Sequence, residues 1–255
     1  MRRAATRVAA LCLMLLAVPA TAAPRIAIII DDLGYNRAAG EAVLALPAPV
    51  TCAVIPSTPH GQRLGRQAAA AGKEVMIHLP MAALDARRLD PGALQEGMSE
   101  ARIGTVLDQA QRALPAARGV NNHMGSALTA EAEPMRRLMD QLRQRHLYFV
   151  DSRTNAATVA EYSARQAGVA TGRRDVFLDN RRDLTHINAQ FNQLLRLARR
   201  RGHAIAIGHP YPETLDYLQQ VLPLMEQTGI RVVPVSELLA APVATADATP
   251  YGVAR

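Results

Sequence analysis

The chain has no tryptophan, and only three phenylalanines and six tyrosines among 255 residues. That shortage argues against a carbohydrate groove lined with stacked indoles, though not against an enzyme. Cysteine is as scarce. Cys12 lies in an N-terminal leader and Cys52 in an apolar run, so without the leader no intramolecular disulfide can form and Cys52 reads as a core residue. No Gly-rich phosphate loop follows the first strand candidate, which counts against a doubly wound nucleotide-binding sheet. The apolar run Ala9–Val18 is too short for a membrane span.

That run belongs instead to a secretory pattern. Arg2, Arg3 and Arg7 precede it, and Ala20-Thr21-Ala22 supplies a small-residue cleavage site, so residues 1–22 read as a signal peptide. Leu11 is too bulky for lipoprotein processing at Cys12. The expectation is an exported, periplasmic or secreted bacterial protein with no membrane span after cleavage, an uncleaved N-terminal anchor being the alternative. Loss of the three arginines takes the formal charge from +7 to about +4. The basic run Arg199–Arg201 falls at a predicted helix end, where cations are favoured, and is not read as a nucleic-acid patch.

What the chain does have is alternation of short apolar runs with helical periodicity. Strand candidates are 26–30, 51–55, 74–77, 119–121, 147–150, 176–178, 204–207 and 231–233. Between them, Ile103/Val106/Leu107/Ala110/Leu114, Met135/Leu138/Met139/Leu142, Ile187/Phe191/Leu194/Leu195/Ala198 and Leu215/Leu218/Leu222/Met225 mark amphipathic helices. Pro212 suits the first turn of the last one, Pro223 a kink, and Gly229 a C-terminal cap. This pattern predicts an α/β fold over residues 24–239, an incomplete (β/α) barrel. Residues 85–99 form a longer polar connection, either a rim loop or a spacer, and residues 240–255 read as a disordered tail.

The polar residues fall at strand ends. Ile26–Ile30 runs into Asp31-Asp32, and other runs end in His78, Asn121-Asn122-His123, Asp151, Asp179 and His209. In a parallel α/β fold those ends share one face, where sites are built. Adjacent carboxylates at a buried tip call for a cation or a shared proton; capping of the next helix is the plain alternative. A carboxylate with two imidazoles is a ligand set for a divalent first-row metal, zinc above all, leaving a second carboxylate and a third histidine for proton transfer. His60, His146, His186 and His203 end no apolar run and are assigned no chemistry.

At these residues the sequence resembles the NodB-type polysaccharide deacetylases and, within them, the divergent, YibQ-like branch of exported bacterial proteins. The resemblance runs from Arg25 to about Leu239. It implies an incomplete, seven-stranded barrel of the deacetylase type. IIIDDLG resembles the family's first motif, implying Asp31 as base and Asp32 as metal ligand. GKEVMIHLPM resembles the second, implying His78 as ligand, and AIAIGHPYPET the last, implying His209 as acid. GVNNHMGS, VDSRT and DVFLDN are similar to segments of the divergent branch.

Two departures stand out. Ala82 occupies the place of the second motif's second histidine, and Asn121-Asn122-His123 replaces an Arg-Pro pair. The expectation is therefore that His123 completes a site of Asp32, His78 and His123 from the neighbouring strand. Asn122, Asp151, Arg153 and Asp179 would ring a substrate pocket. Their alternatives are a tight turn at Asn121-Asn122, helix capping by Asp151 and Ser152 and local pairing of Arg153.

The function implied is metal-dependent removal of acetyl groups from an envelope glycan. A catalytically silent barrel that binds a glycan or protein partner is the alternative. A two-carboxylate glycoside hydrolase would leave the three histidines unexplained.

Overall fold

The computed structural model describes residues 23–85 and 88–239. The expected signal peptide (1–22) and disordered tail (240–255) lie outside the described residues. The strands are β1 (Arg25–Leu33), β2 (Thr51–Val54), β3 (Val75–Met81), β4 (Ala117–Met124), β5 (Tyr148–Asp151), β6 (Thr171–Arg173), β7 (Val176–Phe177), β8 (His203–Gly208) and β9 (Arg231–Val232). The helices are α1 (Arg37–Leu44), α2 (Gly61–Ala70), α3 (Glu100–Ala113), α4 (Ala132–Gln144), α5 (Ala160–Gln166), α6 (Leu184–Arg201) and α7 (Pro212–Val221).

The strands pair in parallel in the order β6-β5-β4-β3-β2-β1-β8-β7. β9 adds to the start of β1 at Arg25 and Ile26, below the point where β2 begins to pair at Ile29. The sheet curls into an incomplete (β/α) barrel that stays open between its edge strands β6 and β7. The main path holds eight strands, not seven, because Thr171–Arg173 forms an edge strand that its short, polar sequence hid.

Alternation along each strand builds two cores. On β1, Ile26, Ile28 and Ile30 pack outward against the helices, while Ala27 and Ile29 face inward with Ala53, Met76, Val150, Ile205 and Ile207. Ile26–Ile30 are fully buried, as a strand covered on both faces must be. Truncating Ile28 to Ala would cost roughly 2–5 kcal/mol through lost burial and the cavity left behind. Cys52 is a buried core residue whose thiol is pushed up to about 12, chiefly by burial.

Helix ends follow the expected chemistry. Pro212 opens α7, and Gly202 and Gly229 close their helices at φ 83° and 71°. Pro223 does not kink a continuous helix; α7 stops at Val221 and residues 222–228 tighten into a 3₁₀ turn. Asn36 caps α1 by accepting from the Ala39 amide, so Asp31 and Asp32 are not the helix caps.

Candidate metal and proton-transfer site

Inward alternation on β1 carries Ala27 and Ile29 on to Asp31, which is 3% exposed. Strict alternation would turn Asp32 outward, with Ile30. Instead the pairing of β1 with β2 shifts register between Ile30 and Leu33, and Asp32 takes a left-handed backbone (φ 58°). That conformation is costly for a non-glycine residue and brings both carboxylates to one mouth of the barrel.

The same parity on β3 sends Met76 and His78 inward, and on β4 it sends Asn121 and His123. His78 lies three residues before the end of its strand and is 2% exposed. The Asp32 Oδ1 atom lies 3.2 Å from His78 Nε2 and 2.9 Å from His123 Nδ1, and those two nitrogens are 3.1 Å apart. Asp31 Oδ2 is 3.6 Å from His78 Nε2. His209, just past β8, places Nε2 3.8 Å from Asp32 Oδ2. Asp179 stands behind His209: its Oδ1 is 2.9 Å from Nδ1, while its Oδ2 accepts from the His209 amide and from Thr214 Oγ1 at 2.6 and 2.7 Å. Phe177 stacks on the His209 ring at 5.3 Å, and Tyr211 lies tilted at the same centroid distance.

Six predicted residues, Asp31, Asp32, His78, His123, Asp179 and His209, thus converge. Asn122 and Asp151 do not. Both sit one residue off the inward parity and are buried behind the strands. Asn122 accepts from the Ser152 amide and donates to the Met124 carbonyl, and Asp151 accepts from the Arg153 amide and Thr158 Oγ1. They brace loops and do not line the pocket. Arg153 is exposed, with φ 51° and its carbonyl bonded to Arg174.

The inward positions next to them are Asn121, a strand-end residue with no site role expected from sequence, and Ser152. Asn121 Nδ2 donates to Asp31 Oδ1 at 2.8 Å and reaches Ser152 Oγ at 3.3 Å. Its Oδ1 therefore faces His78 Nδ1, at 2.8 Å, which must carry the proton. Burial disfavours charge on the His78 ring, but Asp31 and Asp32 outweigh it and raise its proton affinity; a cation in place of that second proton would meet the Nε2 lone pair, toward Asp32 and His123.

The electrostatics separate the two carboxylates. Burial raises the Asp31 carboxyl above its ordinary value, with Asp32 adding to the effect and His78 and His209 opposing it. For Asp32 burial acts the same way but is overcome by contacts from His123 and His78, which hold it well below the usual carboxylate range. Burial disfavours charge on His209, yet Asp179 outweighs it and the ring is pushed up to about 9.

Three features fit a divalent cation among Asp32, His78 and His123. Asp32 Oδ1 is buried with no hydrogen-bond partner, although two ring nitrogens lie within 3.2 Å. The three donor atoms form the one metal-ligating group among the described residues. Their O/N/N set suits zinc with a position left open. A cleft of about 640 Å³ opens beside Asp32 and His209, lined by Tyr35, Ala39, Tyr211 and Asp216.

A profile of the divergent polysaccharide deacetylases matches residues 28–239. An uncharacterized protein of Haemophilus influenzae is 38% identical over 195 residues, covering 76% of this chain and 70% of its own. The uncharacterized protein YibQ of Escherichia coli is 42% identical over 200 residues, covering 78% of this chain and 63% of its own length. Among solved structures, an uncharacterized Agrobacterium tumefaciens protein superposes with TM-score 0.79 at 24% identity, over 86% of this chain and 91% of that one. A family 4 carbohydrate esterase from Streptomyces lividans superposes with TM-score 0.52 at 12% identity, over 86% and 98%. A family 4 pseudoenzyme from Bacillus anthracis gives 0.53 at 15%, over 86% and 66%. At these identities the structures establish the shared fold. The profile match and the two relatives establish more: the chain belongs to the divergent polysaccharide deacetylase family.

Proposed function

We propose that the protein is an exported, metal-dependent hydrolase that removes acetyl groups from an envelope glycan. The observation that carries this reading is the meeting of three ligand atoms with a buried carboxylate on one side and a buttressed imidazole on the other. Asp32, His78 and His123 would hold the ion, most simply zinc, which supplies Lewis acidity to water and to the acetyl carbonyl.

This chain's own residues handle the protons. Asp31 takes one at Oδ2, since Asn121 occupies Oδ1, and its raised proton affinity suits a base working near neutral pH. His209 gives one from Nε2 to the departing amine or alkoxide. Asp179 fixes its other nitrogen and keeps the ring charged below about pH 9. The cleft between Tyr35 and Tyr211 is where the sugar chain would lie. The leader-like residues 2–22 support a periplasmic or secreted location.

Acetate release from acetylated glycan fragments tests the proposal directly. Loss of release in Asp31→Asn with metal uptake intact is the expected result, and absence of release from zinc-loaded wild type would contradict it. The fold likeness to a family 4 pseudoenzyme supports a second reading, a silent glycan-binding barrel. That reading predicts glycan binding without acetate.

A further inference from the structure

We infer that Asp90, carried on the segment between β3 and α3, is a positioning residue for His123 and makes that segment part of the metal site. The inference rests on the reading of Asp32, His78 and His123 as ligands.

An imidazole that offers Nδ1 to a cation must carry its proton on Nε2. His123 turns Nδ1 toward Asp32 and His78, and its Nε2 lies 3.5 Å from Asp90 Oδ2. That spacing is long for a hydrogen bond, so the effect is chiefly that of charge. A carboxylate on the Nε2 side favours the N–H there and resists rotation of the ring, as the outer partners of metal-bound histidines do. Side-chain exposures of 16% for His123 and 20% for Asp90 leave little water to screen it. His78 has a matching arrangement, with the Asn121 amide oxygen behind its outer nitrogen. His78 is backed by a neutral acceptor at hydrogen-bond distance, and His123 by a charge at 3.5 Å.

Asp90 is itself held from two sides. Tyr35 Oη donates to the same Oδ2 at 2.5 Å. Burial and the Asp90 charge both raise the Tyr35 hydroxyl, so it stays a donor. Four residues on, Leu94 is buried and docks on β3, its amide donating to the Pro80 carbonyl at 2.8 Å and its carbonyl accepting from Ala82 at 2.9 Å. A polar connection that sequence left as rim or spacer is therefore anchored against the strand that bears His78.

The test is a zinc titration of the purified protein against a chromophoric chelator, paired with the Tm of the metal-free form. Asp90→Ala is expected to bind zinc about 10–100-fold more weakly at unchanged metal-free Tm. Asp90→Asn, which keeps the shape and the Tyr35 contact but removes the charge, should lose nearly as much. In ¹⁵N spectra of the zinc-loaded protein the His123 Nε2–H signal should be present in wild type and shifted in Asp90→Ala. Wild-type affinity in Asp90→Ala, with His123→Ala unable to bind, would overturn the inference and leave the metal site standing. A parallel fall of metal-free Tm in both Asp90 variants would mark Asp90 as structural and overturn it too. Wild type that takes up no zinc would bring down the ligand reading, and this inference with it.

Discussion

The two ends of the barrel are both plugged with buried polar groups, and they are built to opposite rules. At the base, inward-facing Thr51, Glu74 and Tyr148 meet the turn at Val235–Ser236. Glu74 Oε1 accepts from Thr51 Oγ1, Tyr148 Oη and the Ser236 amide at 3.3, 3.1 and 3.1 Å, and the Val235 amide donates to Thr51 Oγ1 at 3.0 Å. One carboxylate serves three donors, and burial followed by Glu74 keeps Tyr148 neutral. At the mouth, two carboxylates face three imidazoles across a strained residue.

Each end has one buried carboxylate oxygen without a hydrogen bond, Glu74 Oε2 and Asp32 Oδ1. The base has its cation already, with Arg118 Nη1 3.7 Å from Glu74 Oε2. Asp32 Oδ1 faces two ring nitrogens that lie 3.1 Å from each other. The closed network stabilises the fold; the open one leaves a buried carboxylate oxygen where a ligand could bind. The cavity of about 590 Å³ at the base, lined by Arg118, Arg143 and Tyr148, has no metal-ligating cluster among the described residues.

The contrast breaks most visibly if mutations at the two ends fail to separate. Asp31→Asn should lower kcat by about 10²–10⁴-fold with little change in stability, measured by acetate release and denaturant melts. Glu74→Ala should do the reverse. It strands the Tyr148 hydroxyl and the Ser236 amide and should cost about 3 kcal/mol in a urea melt, with zinc uptake per folded chain unchanged.

The next effect is on pH. His209 has a folded pKa of about 9, raised above its ordinary value. Its pairing with Asp179 therefore stabilises the fold fully below about pH 6.5 and is lost as pH rises through about 9. Asp179→Asn should move the alkaline limb of kcat/KM to lower pH and flatten that part of the stability profile. The smallest effect is the most pointed. Asp32→Gly relieves the left-handed strain but gives up the carboxylate's contacts with His123 and His78, so metal-free stability should change by no more than about 1 kcal/mol while zinc uptake is abolished.

Much of this layout was legible in the chain. Ile26–Ile30 followed by Asp31-Asp32 announces a buried strand ending in charge, and the Gly-strand-His pattern repeats at His78 and His209. Asn122 and Asp151 stand at strand ends, but the two-residue period turns them away from the pocket. The inward positions are Asn121 and Ser152, in step with Met76–His78 and Val150. The bulge at Asp32 was hidden because no sequence pattern marks a left-handed aspartate. Asp90 was hidden for another reason: it reaches His123 through a loop whose path depends on Leu94 docking on β3, a tertiary contact with no local period.

Zinc content per chain, measured on purified protein after reconstitution and dialysis, reads out the Asp32–His78–His123 site itself. About one ion in wild type and almost none in Asp32→Ala, His78→Ala or His123→Ala is the expected result. A wild type that stays metal-free, or variants that load as well as it does, would contradict it.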